Sequence, residues 1–137
     1  MKIGDAARAA GLPVKTVRYY ADIGLVSPRS RTASGYRDYA DDDVRRLRFV
    51  RQSRAFGFNV EECRELLSLY ADRSRASADV KRIAQAKVAE LDLRLRELHA
   101  LRDELSSLAA ACQGDDRPDC PILAGLAGTQ DKQRAPT

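Results

Sequence analysis

The chain has 137 residues, 32% of them charged and 44% hydrophobic, with a formal net charge of +4 and a pI near 9.1. That length fills one modest core or a small domain plus an extended helix, and the composition is that of a soluble folded protein. No apolar run approaches the roughly 18 residues of a membrane span, and Met1-Lys2-Ile3-Gly4-Asp5 carries no secretory apolar region. The expectation is therefore a cytoplasmic protein with no membrane partner, whose basic excess favours an anionic one.

Residues 3–9 read as a short helix of small residues with Ile3 facing inward, ended by a tight turn at Gly11-Leu12-Pro13. A second helix begins near Val14. Val14 and Val17 are spaced to pack inward, which turns Lys15, Arg18 and Tyr19 outward. Helix, glycine-containing turn and helix with a basic, aromatic outer face is a helix-turn-helix pattern, although a merely solvated basic face reads the same way. Gly24 caps the second helix. The stretch through Ser34-Gly35-Tyr36-Arg37-Asp38-Tyr39 then reads as a small β-hairpin, or wing, flanked by Arg29 and Arg31. Arg37 and Tyr36 suit phosphate contact, which fixes position rather than sequence, and Tyr39 suits a core.

Asp41-Asp42-Asp43 supplies an N-cap and an acidic first turn for the next helix. Val44, Leu47, Val50 and Phe56, with Leu66 and Leu67, form its expected core stripe. Arg54, at its end, could meet DNA backbone. Gly57 breaks the helix and Asn59 caps another, Val60–Tyr70, in which Cys63 reads as a small buried residue. After a polar connector, Ser77 can cap a helix that starts at Ala78 or Asp79 and runs without Gly or Pro to about Ala111. Such a helix is on the order of 45–50 Å long. Val88, Leu91, Leu95 and Leu98 keep 3-4 spacing, and Leu105 resumes it. A stripe that long outruns its own small domain, so a coiled coil with a second copy is the simplest way to bury it. Pro121 can open a last short helix, Ile122–Ala127.

The expected fold is thus mainly α. A winged helix-turn-helix DNA-binding head spans 1–71 and a dimerisation helix spans 78–111. A metal-binding loop and short helix span 112–127, and 128–137 is expected to be disordered. The loop carries Cys112 and Cys120. Three cysteines, an odd number, argue against a disulfide framework, and a reducing compartment leaves thiols free for a soft metal. Soft thiolates select soft ions, whereas Zn²⁺ favours four ligands. His99, the one histidine, sits more than three helical turns before Cys112 and cannot join the loop. Asp115, Asp116 and Asp119 could complete a hard site or simply be solvated. The same spacing permits a redox-switch disulfide between Cys112 and Cys120. No Cys-x-x-Cys, glycine-rich phosphate loop or His-carboxylate constellation points to an enzyme.

The motifs Ile3-Gly4-Asp5-Ala6-Ala7, Val17-Arg18-Tyr19-Tyr20, Gly24-Leu25, Gly35-Tyr36-Arg37-Asp38-Tyr39 and Arg54-Ala55-Phe56-Gly57-Phe58 together resemble the MerR family of metal-responsive transcription regulators. Ser77-Ala78-Asp79-Val80-Lys81 and Cys112…Gly114-Asp115-Asp116…Asp119-Cys120-Pro121-Ile122 are most similar to that family's copper-efflux regulators. The resemblance runs to about residue 127. The tail departs from it by lacking the Cys/His residues some relatives carry, and only a short segment stands where drug-sensing relatives carry a larger domain.

The resemblance implies a homodimer joined by an antiparallel coiled coil, bound to double-stranded promoter DNA whose spacer is too long for RNA polymerase. Metal binding would bend and untwist that DNA and switch on metal-efflux genes. It further implies DNA contacts from Lys15, Arg18, Tyr19, Tyr36, Arg37 and Arg54, and metal ligation by Cys112 and Cys120. Ser77 of the partner subunit would stand where divalent-ion relatives have a cysteine. Serine there implies Cu(I), with Ag(I) or Au(I) as mimics.

Overall fold

The computed structural model describes residues 1–28 and 30–128. Arg29 of the wing, and all of the expected disordered tail except Gly128, lie outside the described residues. The chain forms two compact units, Met1–Lys87 and Val88–Thr137.

The first unit begins with α1 (Ile3–Ala10) and α2 (Val14–Asp22). α1 buries Ala6, Ala7 and Ala10, whose small side chains let it pack closely on its neighbours. The turn between the two helices requires glycine. Gly11 is left-handed at φ 73°, and a Cβ there would lie 2.1 Å from Arg51 Nη1. The wing follows as β1 (Ser30–Arg31) paired antiparallel with β2 (Arg37–Asp38), Ser30 opposite Asp38 and Arg31 opposite Arg37. Its turn is closed by Thr32 N–H to Tyr36 O at 2.7 Å and Gly35 N–H to Thr32 O at 2.9 Å. Then come α3 (Asp41–Ala55) and α4 (Val60–Ala71). Val44, Leu47 and Val50 of α3 join Val17, Tyr20, Leu25, Val26, Tyr39, Cys63 and Leu67 in one core. Tyr39 is core, as its sequence context suggested.

Arginines on α3 and α4 bind the loose carbonyls that helix ends leave without backbone partners. Arg48 gives Nε and Nη2 to Ala9 O, at 3.0 and 2.9 Å. Arg64 gives Nη1 to Gly24 O at 3.0 Å and Nη2 to Ile23 O at 3.1 Å, at the end of α2. α4 itself starts with a capping box: Asn59 Oδ1 accepts Glu62 N–H and Glu62 Oε1 accepts Asn59 N–H, each at 2.8 Å.

The long helix α5 (Ser77–Ala111) is continuous over 35 residues, about 52 Å at an α-helical rise. Its first turns belong to the first unit, where Lys87 is buried and bonds Glu62 Oε1 at 3.0 Å. In the second unit Leu91, Leu95, Leu98 and Leu105 are exposed, so the chain alone leaves the stripe uncovered. α6 (Pro121–Leu126) has Pro at its first position.

Local details differ from the sequence reading. Phe56, expected in the core stripe, is 64% exposed, because it is the C-cap of α3 and the chain turns away at Gly57. Val14 is 37% exposed, since it opens α2 ahead of the turn that packs. The N-cap of α3 is Ala40, not an aspartate. Asp43, one turn in and buried, accepts Ala40 N–H at 2.8 Å and is ion-paired with Arg46. Ile23 rather than Gly24 is the C-cap of α2. Ser77 does not precede α5 but is its first residue, and Asp79 N–H bonds Ala76 O at 3.1 Å.

Candidate nucleic-acid interface and metal centre

α2 lends side chains to two concave surfaces of the head. One, of about 570 Å³, is lined by Arg18 with Lys2, Ile3, Arg31, Gly35, Tyr36 and Arg37. Four of these are cationic and none is acidic, so the surface favours an anion. The other, of about 300 Å³, is lined by Lys15, Thr16, Tyr19, Tyr20, Arg54 and Val60. The six expected contact residues thus fall into two sets of three, Arg18-Tyr36-Arg37 and Lys15-Tyr19-Arg54. The split follows from helix geometry: Lys15 and Tyr19, four residues apart, share one side of α2, and Arg18, next to Tyr19 in sequence, projects about 100° round the helix from it.

Some of these cations are already held in place. Arg37 Nη2 is 3.1 Å from Asp22 Oδ1, which ties the wing to the end of α2. Arg54 Nη1 donates to Phe58 O at 3.0 Å. Lys15 and Arg18 have no hydrogen bond or ion pair among the described residues, and both are exposed. Their donors are available to phosphate oxygens. Tyr19 and Tyr36 are exposed at 52% and 70%, high for large rings, with Tyr19 in a tilted ring contact with Tyr20 at 6.0 Å between centroids.

Sequence reasoning did not single out Lys2 as a contact, and it took Arg31 only as one of the wing arginines able to reach phosphate. Lys2 precedes the first helix and belongs to no motif; only the fold carries it to the wing groove. Arg31 was visible as a wing flank, and its Nη1 bonds Gly35 O at 3.1 Å, across the turn.

In the second unit Cys112 follows the last residue of α5 and Cys120 precedes α6. Both thiols are free and partly exposed. The fold sets them close enough that Cys112 bears on the ionisation of Cys120. The Cys120 thiol is held below the ordinary thiol range. The leading cause is the Leu123 backbone N–H, helped by that of Ile122 and by Cys112, against a smaller opposing effect of desolvation. Cys63 is the opposite case: burial pushes its thiol up, and its Sγ lies 3.9 Å from Phe58 O. Cys63 is a core residue, as expected.

No third metal-type donor gathers at the loop: among the described residues no cluster of three or more His, Cys, Asp or Glu could hold an ion. Asp115 bonds Arg117, its carboxylate held low by that side chain and backbone, so it faces its neighbour. His99 lies on the exposed face of α5. Among the described residues the loop of one chain therefore offers two soft sulfurs, a donor set that fits a soft ion. Ser77 is exposed on the first turn of α5.

Two family models match the chain: "MerR HTH family regulatory protein" over residues 1–69 and "MerR, DNA binding" over residues 44–108. The transcriptional regulator HmrR of Rhizobium leguminosarum bv. viciae is 59% identical, over 92% of this chain and 97% of that protein. The transcriptional regulator CueR of Salmonella typhimurium is 46% identical, over 93% of each. Among solved structures, PbrR691 from Ralstonia metallidurans in complex with lead(II) superposes with a TM-score of 0.79 at 31% identity, covering 92% of this chain and 98% of that one. These relatives are regulators, not enzymes.

Proposed function

From the premise that this chain belongs to the MerR family of helix-turn-helix transcription regulators, we propose that it is a metal-responsive activator whose effector is Cu(I). In this reading it is a cytoplasmic homodimer joined along α5. The dimer sits on double-stranded promoter DNA with an overlong spacer and, when metal binds, distorts that DNA so that RNA polymerase can use it. Ag(I) and Au(I) serve as chemical mimics. Relatives named CueR, and one solved with lead(II), support heavy-metal response as the general setting.

The observation that carries the Cu(I) reading is the isolated pair of adjacent thiols. Cys112 and Cys120 would hold the ion, a soft Lewis acid matched to thiolate donors. Cys120 reaches its thiolate form easily because backbone amides point at it. Two thiolates and a monovalent ion leave one net negative charge. The positive N-terminal end of the partner subunit's α5 would offset that charge, and Ser77 there adds no third thiolate. Every group in this account except the ion belongs to the chain.

The head does the DNA work. Lys15, Arg18, Tyr19, Tyr36, Arg37 and Arg54 line its two concave surfaces, and phosphate neutralisation there sets register. The test is Cu(I) stoichiometry on anaerobic dimer against a competing chelator, with X-ray absorption for coordination. One ion per loop with two sulfurs supports the reading; three or four ligands overturn it. Cys112→Ser and Cys120→Ser should abolish the copper response while promoter binding survives.

Two free thiols at the ends of one short loop favour a second reading, a redox switch that closes a Cys112–Cys120 disulfide. Copper added under reducing, anaerobic conditions separates the two: promoter output that stays flat there, yet rises with oxidant, selects the switch.

A further inference from the structure

We propose that Leu108 is the positioning residue of the metal loop, holding α6 against α5 so that the second thiol meets the first. The proposal rests on the reading of Cys112 and Cys120 as the ligands. Among the described residues of the second unit, Leu108 is the one buried side chain, 8% exposed, whereas Leu101 and Leu105 nearby on α5 are 62% and 53% exposed. What covers Leu108 is α6. A Cβ on Gly125 would stand 2.6 Å from Leu108 Cδ1 and 2.9 Å from Cδ2, so the backbone of α6 lies directly on the leucine and only glycine permits that approach without Leu108 moving.

The placement matters because of sequence spacing. Leu108 lies one turn before Cys112, the residue after α5, whose N–H bonds Ala109 O at 3.2 Å, so both stand at the same end of that helix. Cys120 is the N-cap of α6, its carbonyl accepting Ala124 N–H at 3.1 Å, so it moves with that helix. Seating Gly125 on Leu108 therefore carries Cys120 to Cys112. The intervening loop is exposed, and its side-chain hydrogen bonds among the described residues join Arg117 to Asp115 and tie it to neither helix. Without the Leu108 contact the two thiols would be ends of an open loop, and metal binding would have to supply the closure entropy. With it, the site is closed before the ion arrives.

Leu108→Ala removes the seat and Gly125→Val pushes α6 off it, so both should weaken binding; Leu108→Met, flexible and of similar volume, should restore it. On full-length anaerobic dimer, Cu(I) affinity against a chromophoric chelator should fall about tenfold or more in the first two variants, a 1.4 kcal/mol effect, and stay near wild type in the third. Metal-free promoter affinity and the dimer fraction by sedimentation should not change. A second readout needs no metal: the rate at which diamide, taking two electrons and two protons from the thiols, closes the Cys112–Cys120 disulfide should slow by a similar factor. Unchanged affinity and unchanged disulfide rate in Leu108→Ala overturn the proposal, as does a loss of affinity that tracks loss of the dimer. If wild-type protein binds no Cu(I), the metal reading fails by itself, and the disulfide rate still decides whether Leu108 seats α6.

Discussion

Lys87→Met should destabilise the head while leaving its volume intact. Lys87 is 6% exposed, with its ammonium 3.0 Å from Glu62 Oε1 and 5.2 Å from the centroid of the Phe58 ring. Methionine keeps the aliphatic stem and discards the charge. Removing one member of a fully buried pair costs roughly 3–5 kcal/mol, but Glu62 is 33% exposed and keeps its cap on Asn59 N–H, so the stranded carboxylate can hydrate. The lost cation–π contact adds about 0.5–1 kcal/mol. The net expectation is a loss of about 1–2 kcal/mol in urea unfolding. Glu62→Gln should cost more, about 2–3 kcal/mol, because it takes the negative charge from the ammonium, the deeper of the two charges, even though glutamine can keep the α4 cap. Equal or reversed losses, or a Lys87→Met change below about 0.3 kcal/mol, would refute the reasoning.

Arg18→Ala should weaken promoter binding and flatten its salt dependence by about 0.9 in log–log slope, the value of one phosphate contact, as read by gel shift across salt; wild-type affinity would remove Arg18 from the interface. Ser77→Cys should widen the inducer range toward divalent ions in a reporter assay, because a third thiolate suits a divalent charge; an unchanged metal profile would sink the selectivity argument. Cys120 should alkylate faster than Cys63 and hold its rate to lower pH. Its folded pKa is depressed, so the thiolate persists as pH falls below the ordinary thiol range. Cys63 is the reverse: its pKa is raised, so it stays a neutral thiol, and any stability tied to that form is lost only as pH rises through the raised value. Mass spectrometry after iodoacetamide at a series of pH values reads both, and equal rates would contradict the two assignments.

Much of the architecture was local enough to read in the chain. Apolar spacing marked α1 to α4, Asn59 announced the start of α4, and the absence of Gly or Pro from Ser77 to Ala111 drew α5 nearly to its end. These are short-range signals, settled by residues within a turn or two of each other. Where short-range rules competed, the reading slipped. Three aspartates looked like caps, yet burial and Arg46 drew Asp43 into the first turn and left Ala40 at the end. Phe56 fitted the stripe by spacing, but the stripe stops where α3 stops.

By itself the sequence determined the kinds of chemistry present: a basic aromatic helix, an overlong leucine stripe, and two thiols flanking a short polar loop. Tertiary structure alone decided which groups meet. It set Lys2 and Arg31 beside Arg18 in one groove, sent Arg64 back across 41 residues to the end of α2, and joined Lys87 of α5 to Glu62 of α4. It also laid α6 on Leu108 and turned the Leu123 and Ile122 amides toward the Cys120 sulfur. The reason is physical: spacing along a helix fixes which face a side chain takes, but what lies opposite that face depends on how separate elements pack to bury their apolar area, and no local pattern records it.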